Sequence, residues 1–360
     1  MADTPAASSP SAAALPAELE ALLHALELDR RARLSQRLGD WLETEEGKKV
    51  ARTLQREDNV ATDTAAAPTG FQPLCFSVFS WISQQLEKRA KAAKPGGHEA
   101  QPLLVALSAS HGSGSTALVH ALKFLFEAEG SQTVALSLDS FYALAGKQEK
   151  LAQKHAGNPL LEGPGNPGTH EPLLAACVLE SLKRNTPNGA VQVPVYDKTL
   201  NDGRGDRLCV KDWPNIETGR IQLILLEGWV LGFTAAAEST ADPFPSLTKE
   251  EVEWMKPVNK ALQDYGAINA LVDAWVVLQA DTPERLVEWH VAEKARMQAS
   301  EEEKAAEEAC ASVERFLPTY KAFLPRLREA GPDGATAETP VLEMVLGEKR
   351  KLERVKLRGA

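Results

Sequence analysis

The 360-residue sequence predicts an α/β protein with a mainly parallel, doubly wound sheet. Short apolar runs recur along the chain, helical patterns separate them, and several of the runs end in polar residues. Apolar strands of this kind are typical of parallel sheets that helices cover on both faces. Ligands bind at the carboxyl ends of such strands, so polar residues at these ends are the candidate site residues.

Composition excludes several classes of function. Lys and Arg total 40 against 50 Asp and Glu, a formal net charge of −10, which argues against broad electrostatic binding to nucleic acid or to an anionic membrane. No apolar run approaches the roughly 18 residues of a membrane helix. No Lys or Arg precedes Arg30, so neither a secretory signal nor a transit peptide is indicated, and we expect a cytoplasmic protein.

The cysteines form neither a CxxC pair nor a His-rich cluster, which argues against zinc and thioredoxin-like sites. Free thiols in a reducing compartment account for them. The four residues are Cys75, Cys177, Cys209 and Cys310.

The N-terminal part differs in character from the rest. Residues 1–16 are rich in Ala, Ser and Pro and predict a disordered tail. Residues 17–70 carry leucines at three- and four-residue spacing followed by a polar stretch, which predicts a helical extension and a linker. This extension either packs on the protein or binds a protein partner. Residues 71–360 form the main predicted domain, which begins with a helix at about 73–94.

Five apolar runs predict strands, the last of which ends the sheet. They are Leu103–Leu107, Thr133–Leu138, Ile221–Leu226, Leu271–Leu278 and Val341–Leu346. Between Leu144 and Trp213 the chain has little regular pattern apart from a helix near 171–184, and this predicts a substrate-binding loop. A charged helix at about 283–309 is a candidate lid, and another helix follows at about 312–329.

A degenerate phosphate-binding loop follows the first strand. The Walker A pattern GxxxxGK[ST] lies between a strand and a helix, and its backbone N–H groups bind phosphate. Here Ala109 replaces the first glycine and Ser115 replaces the lysine, whereas Thr116 keeps the hydroxyl that binds Mg²⁺. A ligand-free turn is the alternative interpretation of this octapeptide alone. The predicted nucleotide-binding residues are Ala109, Ser110, His111, Gly112, Ser113, Gly114, Ser115 and Thr116.

Two acidic residues end the next strands of the predicted sheet. Asp139 can accept a proton from an attacking hydroxyl or help to hold Mg²⁺, or it can cap the turn that follows. Glu227 has the position of a Walker-B-like acid that binds Mg²⁺ through water. In the long loop, Arg204 and Arg207 have the fork geometry that a carboxylate substrate requires, although a solvated polar loop is the alternative.

Four segments in order closely resemble the plant-type D-glycerate 3-kinase family, including its fungal ATP-dependent kinase-like members. They are SLDSFYAL at 137–144, NPLLEGPGNPGTHE at 158–171, VPVYDKTLNDGRGDR at 193–207 and LLEGWVLGF at 225–233. The resemblance covers residues 73–346 and places the chain with the phosphoribulokinase, uridine kinase and pantothenate kinase group of P-loop NTPase kinases. No such resemblance extends to residues 1–70.

The resemblance implies an ATP- and Mg²⁺-dependent transfer of phosphate to the 3-hydroxyl of D-glycerate or a related small hydroxylated substrate. It implies that loop 109–116 binds ATP and that Thr116 and Glu227 hold Mg²⁺. Asp139 and Arg207 would be the catalytic residues, with Asp139 as the base. The residues implied for substrate binding are His170, Tyr196, Asp197, Lys198 and Arg204.

The chain departs from the family pattern at four places that face phosphate, metal or substrate. These are Ser115 for Lys, Ser140 for Asp, Pro164 for Arg, and His290 for Arg. Two alternatives therefore stand beside the glycerate kinase interpretation. One is a catalytically impaired kinase-like protein with a binding or regulatory role, and the other is a kinase for a different hydroxylated substrate with a compensating lysine.

Overall fold

The computed structural model describes residues 16–58, 71–92, 101–237, 240, 242–289 and 314–359. Residues 1–15 of the predicted disordered tail lie outside these ranges. Of the predicted lid helix, residues 284–289 are helical, residue 283 directly precedes the helix, and residues 290–309 lie outside the described residues.

A six-stranded sheet forms the centre of the molecule. The strands of the chain are β1 (Leu103–Ala109), β2 (Thr133–Ser137), β3 (Ala190–Gln192), β4 (Tyr196–Asp197), β5 (Asp206–Arg207), β6 (Asn215–Glu217), β7 (Leu223–Gly228), β8 (Ala274–Ala280), β9 (Val341–Leu346) and β10 (Leu352–Arg358). The large sheet has the order β10-β9-β8-β1-β7-β2 and is parallel except for β10. Every residue of β1 and β8 is buried, so both faces of the sheet are covered. The predicted mainly parallel α/β fold is confirmed.

The five predicted strands are all present, and β9 has the predicted bounds. The prediction that β9 is the last strand was wrong, because β10 pairs antiparallel with it at the sheet edge. The sequence of β10, LERVKLR, is rich in charged residues, and Val355 is its one buried side chain. Charged side chains are common on edge strands and weaken the apolar signal on which the prediction rested.

Helices surround this sheet. They are α1 (Ala17–His24), α2 (Leu28–Leu42), α3 (Glu45–Asp58), α4 (Phe71–Ala92), α5 (Ser115–Ala128), α6 (Ala145–Lys154), α7 (Pro172–Arg184), α8 (Lys249–Leu262), α9 (Gly266–Asn269) and α10 (Leu317–Ala330). Helix α6, strand β3 and the short pair β4–β5 lie in the segment predicted to have little regular structure besides α7, and β6, the partner of β3, directly follows that segment. In the described part of the chain, no helix is long and apolar enough to cross a membrane.

The N-terminal helices pack on the rest of the chain. Helix α1 contacts α4 and β10, and helices α2 and α3 contact α5. The Trp41 ring stacks on Phe124 with centroids 5.2 Å apart, and Arg37 Nη1 donates to the Ala128 carbonyl at the end of α5. Apart from the exposed Leu28, the leucines of α1 and α2 are therefore buried within the chain itself. A separate protein partner for this extension, and a domain boundary at residue 70, stay predictions.

Candidate active site

Three neighbouring strands of the sheet bring the candidate site residues to one edge. Loop 109–116 follows β1, Glu227 lies near the end of β7, and Asp139 lies in a 3₁₀ turn directly after β2. In the sheet, Glu227 is aligned with Leu107 of β1 on one side and with Ser137 of β2 on the other. The predicted nucleotide loop and the two predicted acids thus share one edge.

The loop has the backbone of a phosphate-binding turn. Gly112 and Gly114 have φ values of +72° and +82°, in the left-handed region that glycine adopts without strain. Gly114 is the N-cap residue of α5, so the first backbone N–H groups of that helix, which have no partner within the helix, lie at the loop. These groups and the helix dipole favour an anion at this end of α5.

His111 of this loop is held in an aromatic cluster. The Tyr320 hydroxyl lies 3.0 Å from both the backbone nitrogen and Nδ1 of His111. The His111 ring stacks on Phe316 with centroids 4.6 Å apart and lies 4.8 Å from the Trp229 ring. The start of α10 is thereby fixed against the loop.

Thr116 and Glu227 form the candidate metal site. The Thr116 hydroxyl donates to the Glu227 carboxylate at 3.0 and 3.2 Å. Burial, with a smaller contribution from Asp139, raises the pKa of Glu227, while hydrogen bonds from the hydroxyls of Ser115 and Thr116 oppose this. A hydroxyl and a carboxylate are hard oxygen ligands that fit Mg²⁺, which keeps its remaining positions for water and phosphate. The described residues include no cluster of three or more His, Cys, Asp or Glu that could hold a metal on its own.

Asp139 is paired with Lys198. Lys198 Nζ lies 2.7 Å from Asp139 Oδ2 and reaches it from the segment after β4. Burial opposes ionisation of Asp139, but Lys198 outweighs it and holds the pKa of this carboxyl below its ordinary value. Asp139 is therefore a carboxylate at neutral pH.

His170 is buried near Asp139, and its ring stacks on that of Tyr142. It forms an antiparallel bridge with Tyr142, and the two rings are 4.2 Å apart. Its Nδ1 lies 2.7 Å from the Tyr265 hydroxyl, whereas its Nε2 is buried with no hydrogen-bond partner. Burial lowers the pKa of His170 to about 4, against the opposing charge of Asp139, so the imidazole is neutral at pH 7.

Tyr196 positions a hairpin over this region. Its ring packs edge-to-face on Tyr142 at 5.1 Å, and its hydroxyl donates to the Arg204 carbonyl. Gly205 has φ +82°, and a Cβ there would lie 2.5 Å from the Tyr196 ring, so only glycine fits. Below the hairpin is a cavity of about 550 Å³, which the Arg204 side chain lines from the rim.

The two predicted carboxylate-binding arginines have different surroundings. Arg207 pairs with Glu171, which also pairs with Lys147, and its guanidinium lies 5.8 Å from the Trp213 ring. Its side chain is only 8% exposed. Arg204 is exposed and donates to Asn201. The roles predicted for both arginines stay predictions.

Asp197 is hydrogen-bonded within its own loop. Its carboxylate accepts from the backbone N–H and the hydroxyl of Thr199 at the protein surface. These two hydrogen bonds hold the pKa of Asp197 below its ordinary value. The predicted substrate contact of Asp197 stays a prediction.

Sequence reasoning missed three residues that the fold brings to the site. Tyr320 holds His111, Tyr265 holds His170, and Arg315 lines the cavity from the turn before α10. Tyr320 and Tyr265 are fully buried, and nothing in their local sequence separates them from ordinary core aromatics. Arg315 lies outside every motif on which the sequence prediction rested.

Comparison with known proteins finds kinases among the relatives of this chain. The chain is 37% identical over 277 residues to the D-glycerate 3-kinase of Arabidopsis thaliana, whose name marks it as chloroplastic. This chain is a homologue of D-glycerate 3-kinase. The match covers 76% of the chain, which spans only 58% of the length of that relative. No protein-family model matches the chain.

Fungal kinases are also homologous to it. An uncharacterized kinase, mug58, of Schizosaccharomyces pombe is 27% identical over 276 residues, which are 75% of this chain and 95% of the relative. A probable ATP-dependent kinase, TDA10, of Saccharomyces cerevisiae is 27% identical over 234 residues, 62% and 78% of the two chains. The solved D-glycerate 3-kinase of Cryptococcus neoformans has a TM-score of 0.65 at 23% identity and covers 79% of this chain and 98% of its own. This last match shows the fold.

Proposed function

We propose that the chain is an ATP-dependent kinase that phosphorylates the 3-hydroxyl of D-glycerate. The observation that carries the proposal is the meeting of loop 109–116, Glu227 and the ion-paired Asp139 at one sheet edge. A phosphate-binding turn, a metal-binding carboxylate and a base are the parts that phosphoryl transfer to an alcohol requires. The homology to D-glycerate 3-kinase supports D-glycerate as the acceptor.

The nucleotide binds through backbone rather than through a lysine. Gly112, Gly114 and the first turn of α5 present N–H groups to the β- and γ-phosphates. Ser115 supplies no cation at the usual lysine position. This costs about 1.5–3 kcal/mol of binding relative to a charge-assisted hydrogen bond.

Thr116 and Glu227 would hold Mg²⁺. When bound, the ion would neutralise the charge that develops on the transferring phosphoryl group. The Thr116–Glu227 hydrogen bond already holds both ligands in place in the protein.

Asp139 takes the proton of the attacking hydroxyl. The acceptor oxygen then forms its bond to the γ-phosphorus as the bond from that phosphorus to the bridging oxygen breaks, and ADP leaves. Lys198 keeps Asp139 ionised and ready to accept the proton. The neutral His170 and Tyr196 shape the acceptor side of the site, with Arg204 at its rim and Arg207 held behind it by Glu171.

The second candidate is a kinase-like protein with impaired turnover and a binding or regulatory role. The observation that favours it is Ser115, which stands where the family pattern has a lysine and supplies no positive charge to the loop. Such a protein would bind nucleotide without transferring phosphate.

Acceptor-dependent release of ADP from MgATP distinguishes the two candidates. We expect turnover with D-glycerate well above the rate without acceptor, and little turnover with sugars or nucleosides. Absence of acceptor-dependent ADP, together with thermal stabilisation by MgATP, would overturn the kinase proposal in favour of the binding role.

We also propose the cytoplasm as the site of this activity.

A further inference from the structure

The cavity beneath the β4–β5 hairpin is lined by one half-buried cation, Arg315, that no role above uses. The cavity is lined by α6, by the turn at 162–164, by the loop between β4 and β5, and by Arg315. Arg315 is half-buried and directly precedes Phe316, the N-cap residue of α10. It thus reaches the acceptor side of the site from an element that also touches the nucleotide loop.

The Arg315 guanidinium is fixed in position but incompletely bonded. Its Nη2 donates to the Pro164 carbonyl at 2.8 Å, and the group lies 4.6 Å from the Phe316 ring. Its Nε is buried and has no hydrogen-bond partner. A buried donor without a partner costs free energy, so an acceptor atom arriving at this position is favoured.

Other cations near the cavity are already engaged. Lys198 pairs with Asp139, Arg207 pairs with Glu171, and Arg204 is exposed on the rim. Within the described ranges, Arg315 is the cation lining this cavity that combines burial with an unused donor.

Arg315 is also linked to the nucleotide loop. The next residue, Phe316, stacks on His111, and its ring lies so close to Gly165 that a Cβ there would be 2.3 Å away. Arg315 therefore lines the cavity from a position directly next to a ring that packs on the nucleotide loop.

We propose that Arg315 binds the carboxylate of the acceptor and so selects a hydroxy acid over an uncharged alcohol. This proposal rests on the proposed kinase function. A guanidinium presents several N–H donors in a planar fork that matches the two oxygens of a carboxylate, and Nε would gain the partner that it lacks. The transferring phosphate is a second oxyanion that this group could contact, and the experiment separates the two.

The test compares Arg315→Gln and Arg315→Lys with the wild type, using D-glycerate and glycerol as acceptors. Arg326→Gln is the matched control, because Arg326 lies on α10 and, like Arg315, donates to a proline carbonyl, that of Pro243. We expect Arg315→Gln to lower kcat/KM for D-glycerate by about 10- to 100-fold, since one charge-assisted contact is lost. Turnover of glycerol and the KM for MgATP should be unchanged, Arg315→Lys should recover part of the loss, and Arg326→Gln should match the wild type.

An equal loss with glycerol, or a raised KM for MgATP, would overturn the proposal and assign Arg315 to the phosphate. An unchanged kcat/KM for D-glycerate in an active Arg315→Gln variant would also overturn it. Calorimetric titration with D-glycerate separates this proposal from the proposed function. If the wild type binds D-glycerate without turnover and Arg315→Gln weakens this binding, the Arg315 contact is supported and kinase activity is overturned. If the wild type does not bind D-glycerate, both proposals are overturned.

Discussion

Lys198 Nζ lies 2.7 Å from Asp139 Oδ2, and this ion pair determines the protonation state of the candidate base. Burial alone would raise the pKa of Asp139, but the charge of Lys198 reverses the direction. The pair joins the hairpin segment after β4 to the turn after β2, two elements that are far apart in sequence. The acceptor side of the site is thus assembled by electrostatics as well as by packing.

We predict that Lys198→Met moves the acidic limb of the pH–rate profile to higher pH. The pKa of Asp139 lies below its ordinary value in the wild type, so the base stays ionised into the acidic range; without Lys198, burial raises that pKa. The profile of kcat/KM against pH measures the shift. Lys256→Met is the control, because Lys256 forms an exposed pair with Glu253. An acidic limb that stays in place would contradict the role of Lys198.

Ser115→Lys should strengthen nucleotide binding. An ammonium at this position regains a charge-assisted hydrogen bond worth about 1.5–3 kcal/mol, which is about 10- to 100-fold in the Kd for MgATP. Ser115→Met provides side-chain length without charge and should give no gain. Fluorescence or calorimetric titration with MgATP measures both variants. A Kd for Ser115→Lys equal to that of Ser115→Met would show that the loop does not bind phosphate in the proposed way.

The parallel strands, and the polar residues at their ends, could be predicted from the sequence because buried parallel strands are nearly continuous apolar runs. LLVALSA of β1 and AWVVLQA of β8 are of this type, and each is followed by a loop or turn. Strand β10 was not predicted, because it is rich in charged residues and its one buried residue, Val355, gives no periodic apolar pattern.

The candidate site was predicted in part for a related reason. Asp139 and Glu227 were found because each acid directly follows or ends a buried run. Arg315 was missed because its place beside the acceptor cavity depends on how α10 docks against His111, a contact between residues about 200 positions apart. The pairing of Arg207 with Glu171 likewise depends on tertiary structure, since sequence shows the charge of an arginine but not its partner.

His170→Gln should remove part of the acid sensitivity of the fold. The folded pKa of His170 is about 4 against an ordinary 6.5, so the unfolded chain binds more protons between these values and stability falls as the pH drops from 6.5 towards 4. The full loss amounts to about 3 kcal/mol. Denaturant unfolding at pH 7 and pH 4.5 should show a smaller difference for His170→Gln than for the wild type. Exposed His24→Gln is the control, and an equal pH difference in all three proteins would contradict the prediction.

Leu38→Ala in α2 should destabilise the whole molecule. Leu38 is fully buried in the core that the N-terminal helices share with α5, and truncation of such a leucine costs about 2–5 kcal/mol. Leu28→Ala, on the same helix but 82% exposed, should change stability by less than about 0.5 kcal/mol. Urea unfolding followed by tryptophan fluorescence measures both. Equal stability of the two variants would mean that α2 is not integrated into the core.

The most direct test of the central claim is the identity of the product formed from MgATP and D-glycerate. Proton-coupled ³¹P NMR distinguishes the two hydroxyls, because a phosphate on the terminal CH₂ gives a triplet and one on the secondary carbon gives a doublet. We predict a triplet that grows with time, in step with ADP, and that is absent with Asp139→Asn, while Asp212→Asn, an exposed acid outside the site, behaves as the wild type. A doublet, or ADP without a new phosphate ester, would contradict phosphorylation of the 3-hydroxyl.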